Sequence, residues 1–205
     1  FNEHDVCMNV MPLCHINSTF FTFTFLYIGG SVYIHPARSF RADEILEIVA
    51  REKITFISLI PTHYNLILNA PPEARTHDRS SIRKLLCSSA PVRKSMKLAI
   101  MEFFPDVQLY EAYGSTEAGI VTVLKPEYQM KKLGSIGFES LGTEFIKILD
   151  TDKNEVPAGQ VGELHSRGPM LFKEYYKLPE KTAGAFHDGW FSAGDMATQD
   201  EDGFY

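Results

Sequence analysis

Val107-Gln108-Leu109-Tyr110-Glu111-Ala112-Tyr113-Gly114-Ser115-Thr116-Glu117-Ala118-Gly119 decides how this chain folds. Val107 to Tyr110 has the apolar alternation of a strand. The residues after it bring an aromatic ring, a turn glycine, two hydroxyls and a carboxylate into one short segment. Open α/β sheets bind ligands at the ends of their strands, so Tyr113 to Glu117 has both the place and the equipment of a nucleotide-triphosphate site. Short motifs also arise as plain strand-to-helix turns, and Thr116 taken alone fits a local cap equally well.

Upstream of this segment, from Val6 on, short apolar runs alternate with amphipathic stretches, the rhythm of strands and crossover helices in a parallel sheet. Ser31 to His35 reads as a strand. Arg41 to Lys53 follows with Ile45, Leu46, Ile48 and Val49 at helical spacing, and Thr55 to Ile60 reads as a buried strand ended by Pro61, where another helix starts. Arg83 to Cys87 and Val92 to Phe104 repeat the pattern, which gives three βα units in series before Tyr110. Ala70 to Ser81, with Pro71, Pro72 and several charges, reads as an exposed loop.

Downstream of Gly119 the segments shorten and glycine becomes frequent. Glu144 to Leu149 and Val161 to His165 flank the turn-like Asp150 to Asn154 and read as paired strands. The expected fold is therefore α/β: a mostly parallel sheet with flanking helices over residues 1–119, then a smaller β-rich subdomain over residues 120–205.

The 205 residues, 44% of them hydrophobic, suffice for a substantial core. A net charge of −6 and no basic run beyond Lys131-Lys132 argue against a nucleic-acid partner. Cys7, Cys14 and Cys87 have neither disulfide nor zinc spacing, and a reducing cytoplasm fits them best. Thr22, Thr24, Gly29, Gly30 and Ser31 interrupt the apolar run Phe20 to Ile34, which reads as a buried helix followed by a strand rather than a transmembrane segment. The oligomeric state has no signature in the sequence.

A second motif, Gly189-Trp190-Phe191-Ser192-Ala193-Gly194-Asp195, changes the weight of the first. Gly162-Glu163-Leu164 and Pro179-Glu180-Lys181-Thr182 precede it in order, and the turn Asp200 to Gly203 follows. The ordered set resembles the acyl-adenylate-forming enzymes: acyl-CoA synthetases, firefly luciferase and the adenylation domains of peptide synthetases.

The resemblance implies a cofactor and partner set of ATP or AMP, Mg²⁺, coenzyme A and a small-molecule carboxylic acid. It implies that Tyr113, within Glu111-Ala112-Tyr113-Gly114-Ser115-Thr116, packs its ring on the adenine. Thr116 would donate to the α-phosphate, Glu117 would help hold Mg²⁺, and Asp195 would accept from both ribose hydroxyls. Each role suits its residue: a flat apolar ring face, a small donor, a hard oxygen ligand and a bidentate acceptor. Ser88-Ser89-Ala90-Pro91 resembles the small-residue loop that flanks the adenine, where relatives more often carry glycine at the first two positions. Pro12-Leu13-Cys14-His15 resembles the segment whose ring borders the carboxylate being activated, which makes His15 a catalytic candidate beside Thr116 and Glu117. The Ser18 to Tyr27 helix would then wall the acyl tunnel, and Thr62-His63 matches a turn near the substrate side.

The chain departs from the pattern at two further places. Ala193 stands where the family usually has Thr, and Glu111 where it often has an amide. An acid there would either recognise the adenine amino group or weaken anion binding. His15 to Ser18 offers no acid for a substrate ammonium, so an uncharged acyl or aryl acid and transfer to coenzyme A are expected over peptide-synthetase or luciferase-like chemistry. The alternative of another class is a nucleotide-binding or scaffolding module that keeps the fold without the reaction. The resemblance also places a phosphate loop ahead of Phe1, and a C-terminal domain with a catalytic lysine beyond Tyr205. On that expectation the chain is an internal fragment of a large N-terminal domain and does not turn over alone.

Overall fold

The computed structural model describes residues 1–36 and 39–205. The chain divides into two units, Phe1–Glu111 with Gln129–Gly134, and Ala112–Tyr128 with Ser135–Tyr205.

The first unit runs β1 (Val6–Asn9), α1 (Ile16–Tyr27), β2 (Ser31–Ile34), α2 (Ala42–Glu52), β3 (Phe56–Leu59), α3 (Pro61–Leu68), β4 (Lys84–Ser88) and α4 (Lys94–Phe103) into the first half of β5 (Gln108–Ser115). Its strand order is β2-β1-β3-β4-β5. The first four pair in parallel, with Val6 opposite Ser31, Cys7 opposite Phe56 and Ile57 opposite Leu85. The expected parallel sheet therefore forms, with β1 as an inner strand that the reading from Ser31 onward had not placed.

Every residue of β3 is buried, as its unbroken apolar run requires of a strand covered on both faces. In α2 the four apolar residues Ile45, Leu46, Ile48 and Val49 are the buried face. Asp43 and Glu44 in its first turn and Arg51 in its last complement the helix dipole. Ile45 is fully buried, so truncating it to Ala would cost about 2–5 kcal/mol. The helix expected to be buried, α1, is only half so. Phe21 and Phe25 pack on Phe56, with ring centroids at 4.7 and 5.5 Å, while Phe23, Leu26 and Tyr27 are exposed. Among the described residues no helix is long and apolar enough to cross a membrane. The Ala70 to Ser81 stretch is exposed in large part, but Ala70 and Ala74 are buried and a single 3-10 turn spans Ala74–Thr76.

The second unit takes the rest of β5, then β6 (Gly119–Leu124), β7 (Phe138–Glu139), β8 (Phe145–Leu149), β9 (Gly162–Arg167), α5 (Pro179–Gly184), β10 (Phe186–His187) and β11 (Trp190–Ala197). The last four strands form an antiparallel sheet in the order β10-β11-β9-β8. The expected pairing of the strands around Asp150 to Asn154 holds, with Ile148 opposite Leu164. Asp150 Oδ1 closes the turn by accepting from the N–H groups of Asp152 and Asn154, both at 2.9 Å. Ala118, Val121, Ile146, Ile148, Leu164 and Phe191 form the core of this unit.

Candidate active site

The strand expected to end at Tyr110 continues to Ser115, and after the loop Thr116–Ala118 the chain returns as β6. The motif is thus a β-hairpin, not a strand-to-helix turn. Pairing explains the extension: β6 lies beside β5 and takes up the backbone groups beyond Tyr110. A Cβ on Gly114 would run into the carbonyl of Gly119, so the hairpin needs glycine there. Gly119 itself has a φ of 68°, which closes the short loop. Ser115 Oγ accepts the Ala118 N–H at 3.1 Å, and the Glu117 carbonyl accepts the Phe172 N–H at 2.6 Å. Thr116 is left exposed at the tip.

Tyr113 is half-buried against the core of the second unit, and its hydroxyl donates to Asp195 Oδ2 at 2.7 Å. Burial, then the neighbouring carboxylate, raises the Tyr113 phenol well above its ordinary value, so it remains a donor. Residues 82 apart in sequence, the expected adenine platform and ribose acceptor, are thereby joined. Glu117 is likewise held: its Oε1 accepts the Tyr175 hydroxyl at 2.8 Å. Tyr175 is secured by its N–H, which donates to Thr182 Oγ1 at 3.0 Å, and by Lys181, whose ammonium lies 4.0 Å from its ring centre. The Pro179 to Thr182 motif therefore holds the side chain that holds Glu117. Sequence reading missed Tyr175; the Tyr175-Tyr176 pair ahead of Pro179 was its only signal.

In the first unit Ser88 ends β4, and Ser89, Ala90 and Pro91 are exposed. Ser89 adopts a φ of 70°, the conformation natural to the glycine expected there. Asn17 Nδ2 donates to Ser58 Oγ at 2.8 Å and to Ser88 Oγ at 3.2 Å, tying the start of α1 to the ends of β3 and β4. His15 is exposed at the N-cap position of α1, with no side-chain cap bond. His63, in the first turn of α3, stacks on Phe40 at 4.2 Å, and burial lowers its pKa.

Glu111 is 8% exposed, and its carboxylate is ion-paired with Lys97, itself 1% exposed. Burial raises the Glu111 pKa, against the opposing pull of Lys97 and the Val92 N–H. An acid at this position is thus matched by a buried cation. Lys97 lies three residues before Ile100 and six before Phe103, on the buried face of α4. A surface groove of about 580 Å³ lies elsewhere in this unit, beside Tyr33, Glu47, Arg51 and His77. Arg51 in its wall is already paired with Glu52 at 2.8 Å.

The AMP-binding enzyme family matches residues 1–176. The chain belongs to that family. A feruloyl-CoA synthase from Amycolatopsis sp is 36% identical over 178 residues, which are 86% of this chain and 35% of that protein. The chain thus spans about a third of the curated relatives it matches. The fold is also that of the N-terminal domain of FACL13 from Mycobacterium tuberculosis, with a TM-score of 0.89 at 23% identity, over all of this chain and 50% of that one. O-succinylbenzoate Coenzyme A Synthetase from Bacillus subtilis, solved with ATP and magnesium ion, aligns at a TM-score of 0.85 and 28% identity, over all of this chain and 41% of that one. The AMP-binding match stops at Tyr176, short of Asp195, which the structure ties to Tyr113 through their hydrogen bond.

Proposed function

We propose that the protein containing this chain activates a carboxylic acid with ATP, forming an acyl adenylate and releasing pyrophosphate, and then transfers the acyl group to the thiol of coenzyme A with release of AMP. The hydrogen bond from Tyr113 to Asp195 carries this reading, because it brings an aromatic face and a bidentate acceptor side by side. Tyr113 offers its ring to the adenine, and the free oxygen sites of Asp195 accept the ribose hydroxyls. Thr116, at the hairpin tip, donates to the α-phosphate.

Glu117 fits a magnesium ion by donor chemistry: it is a hard carboxylate whose Oε1 is already fixed by Tyr175. Among the described residues no group of three or more His, Cys, Asp or Glu gathers to hold a metal, so the cation would arrive with the phosphates. When bound it neutralises phosphate charge; the chain's part is to orient Glu117. The roles of His15 and of Ser88-Ser89-Ala90-Pro91 carry over from the resemblance and are tested by separate variants. The substrate is an uncharged acyl or aryl acid, and the free thiols of Cys7, Cys14 and Cys87 fit a reducing cytoplasm.

The test is a carboxylate panel on the full-length protein, scored by pyrophosphate release with and without coenzyme A. Thr116→Ala, Glu117→Gln and Asp195→Ala should each lower the rate with the best acid by about tenfold or more. Wild-type rates in Glu117→Gln and Asp195→Ala would refute the site. Adenylation that proceeds while coenzyme A takes up no acyl group would keep the first step and reassign the acceptor.

A further inference from the structure

The strand that carries Asp195 is interrupted. β11 pairs with β9 at Phe191 opposite Ser166 and Ser192 opposite His165, and again at Met196 opposite Glu163 and Ala197 opposite Gly162. Between these points Ala193, Gly194 and Asp195 face Leu164 alone, so the chain arches out of the sheet. Gly194 takes a φ of 87° in the arch, and Ala193, Gly194 and Asp195 are all exposed. An arch that has given up its ladder bonds keeps one shape only if side chains hold it.

Three side chains do. Ser192 Oγ accepts the Gly194 N–H at 3.0 Å and donates to Glu163 Oε1 at 2.7 Å. Glu163 Oε2 meets Lys153 Nζ at 2.7 Å. Lys153 stands in the Asp150 to Asn154 turn, with a φ of 64°. The single hydroxyl proton of Ser192 goes to the carboxylate, which leaves an oxygen lone pair for Gly194, so the direction of the relay is fixed. The Lys153 hydrogen bond, then that of Ser192, lowers the Glu163 pKa and keeps it ionised as the acceptor.

We propose that Lys153, Glu163 and Ser192 are positioning residues that set the Gly194–Asp195 arch, and through it the selectivity of the protein for a nucleotide with intact ribose hydroxyls. This rests on the reading of Asp195 as the ribose acceptor. The effect of all three passes through the Gly194 backbone, which Ser192 holds. Asp195 is thereby gripped on two sides, by the Tyr113 phenol at its carboxylate and by Ser192 at the backbone N–H of the preceding residue, Gly194.

The experiment compares the full-length protein with its Ser192→Ala, Ser192→Thr, Glu163→Gln and Asp195→Ala variants. It reads kcat/KM for ATP over that for an ATP analogue lacking both ribose hydroxyls, together with the KM of the carboxylic acid and the thermal midpoint. Wild type should favour ATP, and Asp195→Ala should bring the ratio close to unity. Ser192→Ala and Glu163→Gln should lower the ratio by about tenfold through the KM for ATP, with the carboxylic-acid KM unchanged. Ser192→Thr, which keeps the hydroxyl, should restore it. A relay that only stabilises the sheet would move the midpoint and leave the ratio alone, and that result overturns the proposal while the ribose reading stands. An unchanged ratio in Asp195→Ala overturns both. If Glu163→Gln does not fold, Ser192→Ala, which deletes one oxygen from a half-buried site, decides the matter.

Discussion

The Tyr113 hydroxyl donates to Asp195 Oδ2 at 2.7 Å, although one residue is on the β5–β6 hairpin and the other on the arch of β11. Removing this hydroxyl leaves the ring in place and frees the carboxylate to turn. In the full-length protein Tyr113→Phe should raise the KM for ATP about fivefold, the equivalent of roughly 1 kcal/mol, with the KM of the carboxylic acid unchanged. An unaltered KM for ATP would show that Asp195 is set without the phenol.

The buried pair of Lys97 and Glu111 makes a prediction about stability and pH. Lys97→Met strands a buried carboxylate and should destabilise the fold by about 3–5 kcal/mol, while Lys97→Met with Glu111→Leu should recover most of that loss. The folded pKa of Glu111 is raised above its ordinary 4.5 by burial, so the folded state holds the proton more tightly than the unfolded chain. Removing Lys97 raises it further. Urea denaturation of Lys97→Met should therefore show stability falling as pH climbs from 4.5 to the raised folded value, then levelling. A pH-independent loss would mean that Glu111 is protonated throughout or has found another partner.

Ser89 has a φ of 70°, where a side chain is strained and glycine is not. Ser89→Gly should raise stability by about 0.5–1 kcal/mol, and Ser89→Val should lower it, both read from the denaturation midpoint. If Ser89→Gly destabilises, the serine side chain makes a contact worth more than its backbone strain.

The sequence carried the first unit well because its signals are local. The apolar run Thr55 to Ile60 is buried over all of β3, and the spacing of Ile45, Leu46, Ile48 and Val49 is the buried face of α2. The residue types of the site were also legible, in Tyr113, Thr116, Glu117 and Asp195. Their supports were not. β5 passes Tyr110 because β6 pairs with it, and Glu111 and Gly114 hide that from any alternation rule. The hydrogen bond of Tyr175 to Glu117 spans 58 positions, and the partner of Glu111 lies on a helix where a lysine reads as solvated. The arch of β11 depends on a register offset against β9, which leaves only Gly194 as a local trace.

The hairpin tip has a final implication for how this region can vary. Thr116 and Glu117 lie in a loop of three residues between two paired strands, closed by a left-handed Gly119 and by a Gly114 that admits no side chain. One residue more or fewer would turn β6 over, sending Val121 from the core to the opposite face. The segment between Gly114 and Gly119 therefore works as a ruler: substitutions can retune its chemistry, but its length cannot drift, and an insertion in the largely exposed Ala70 to Ser81 stretch should be far better tolerated than one here.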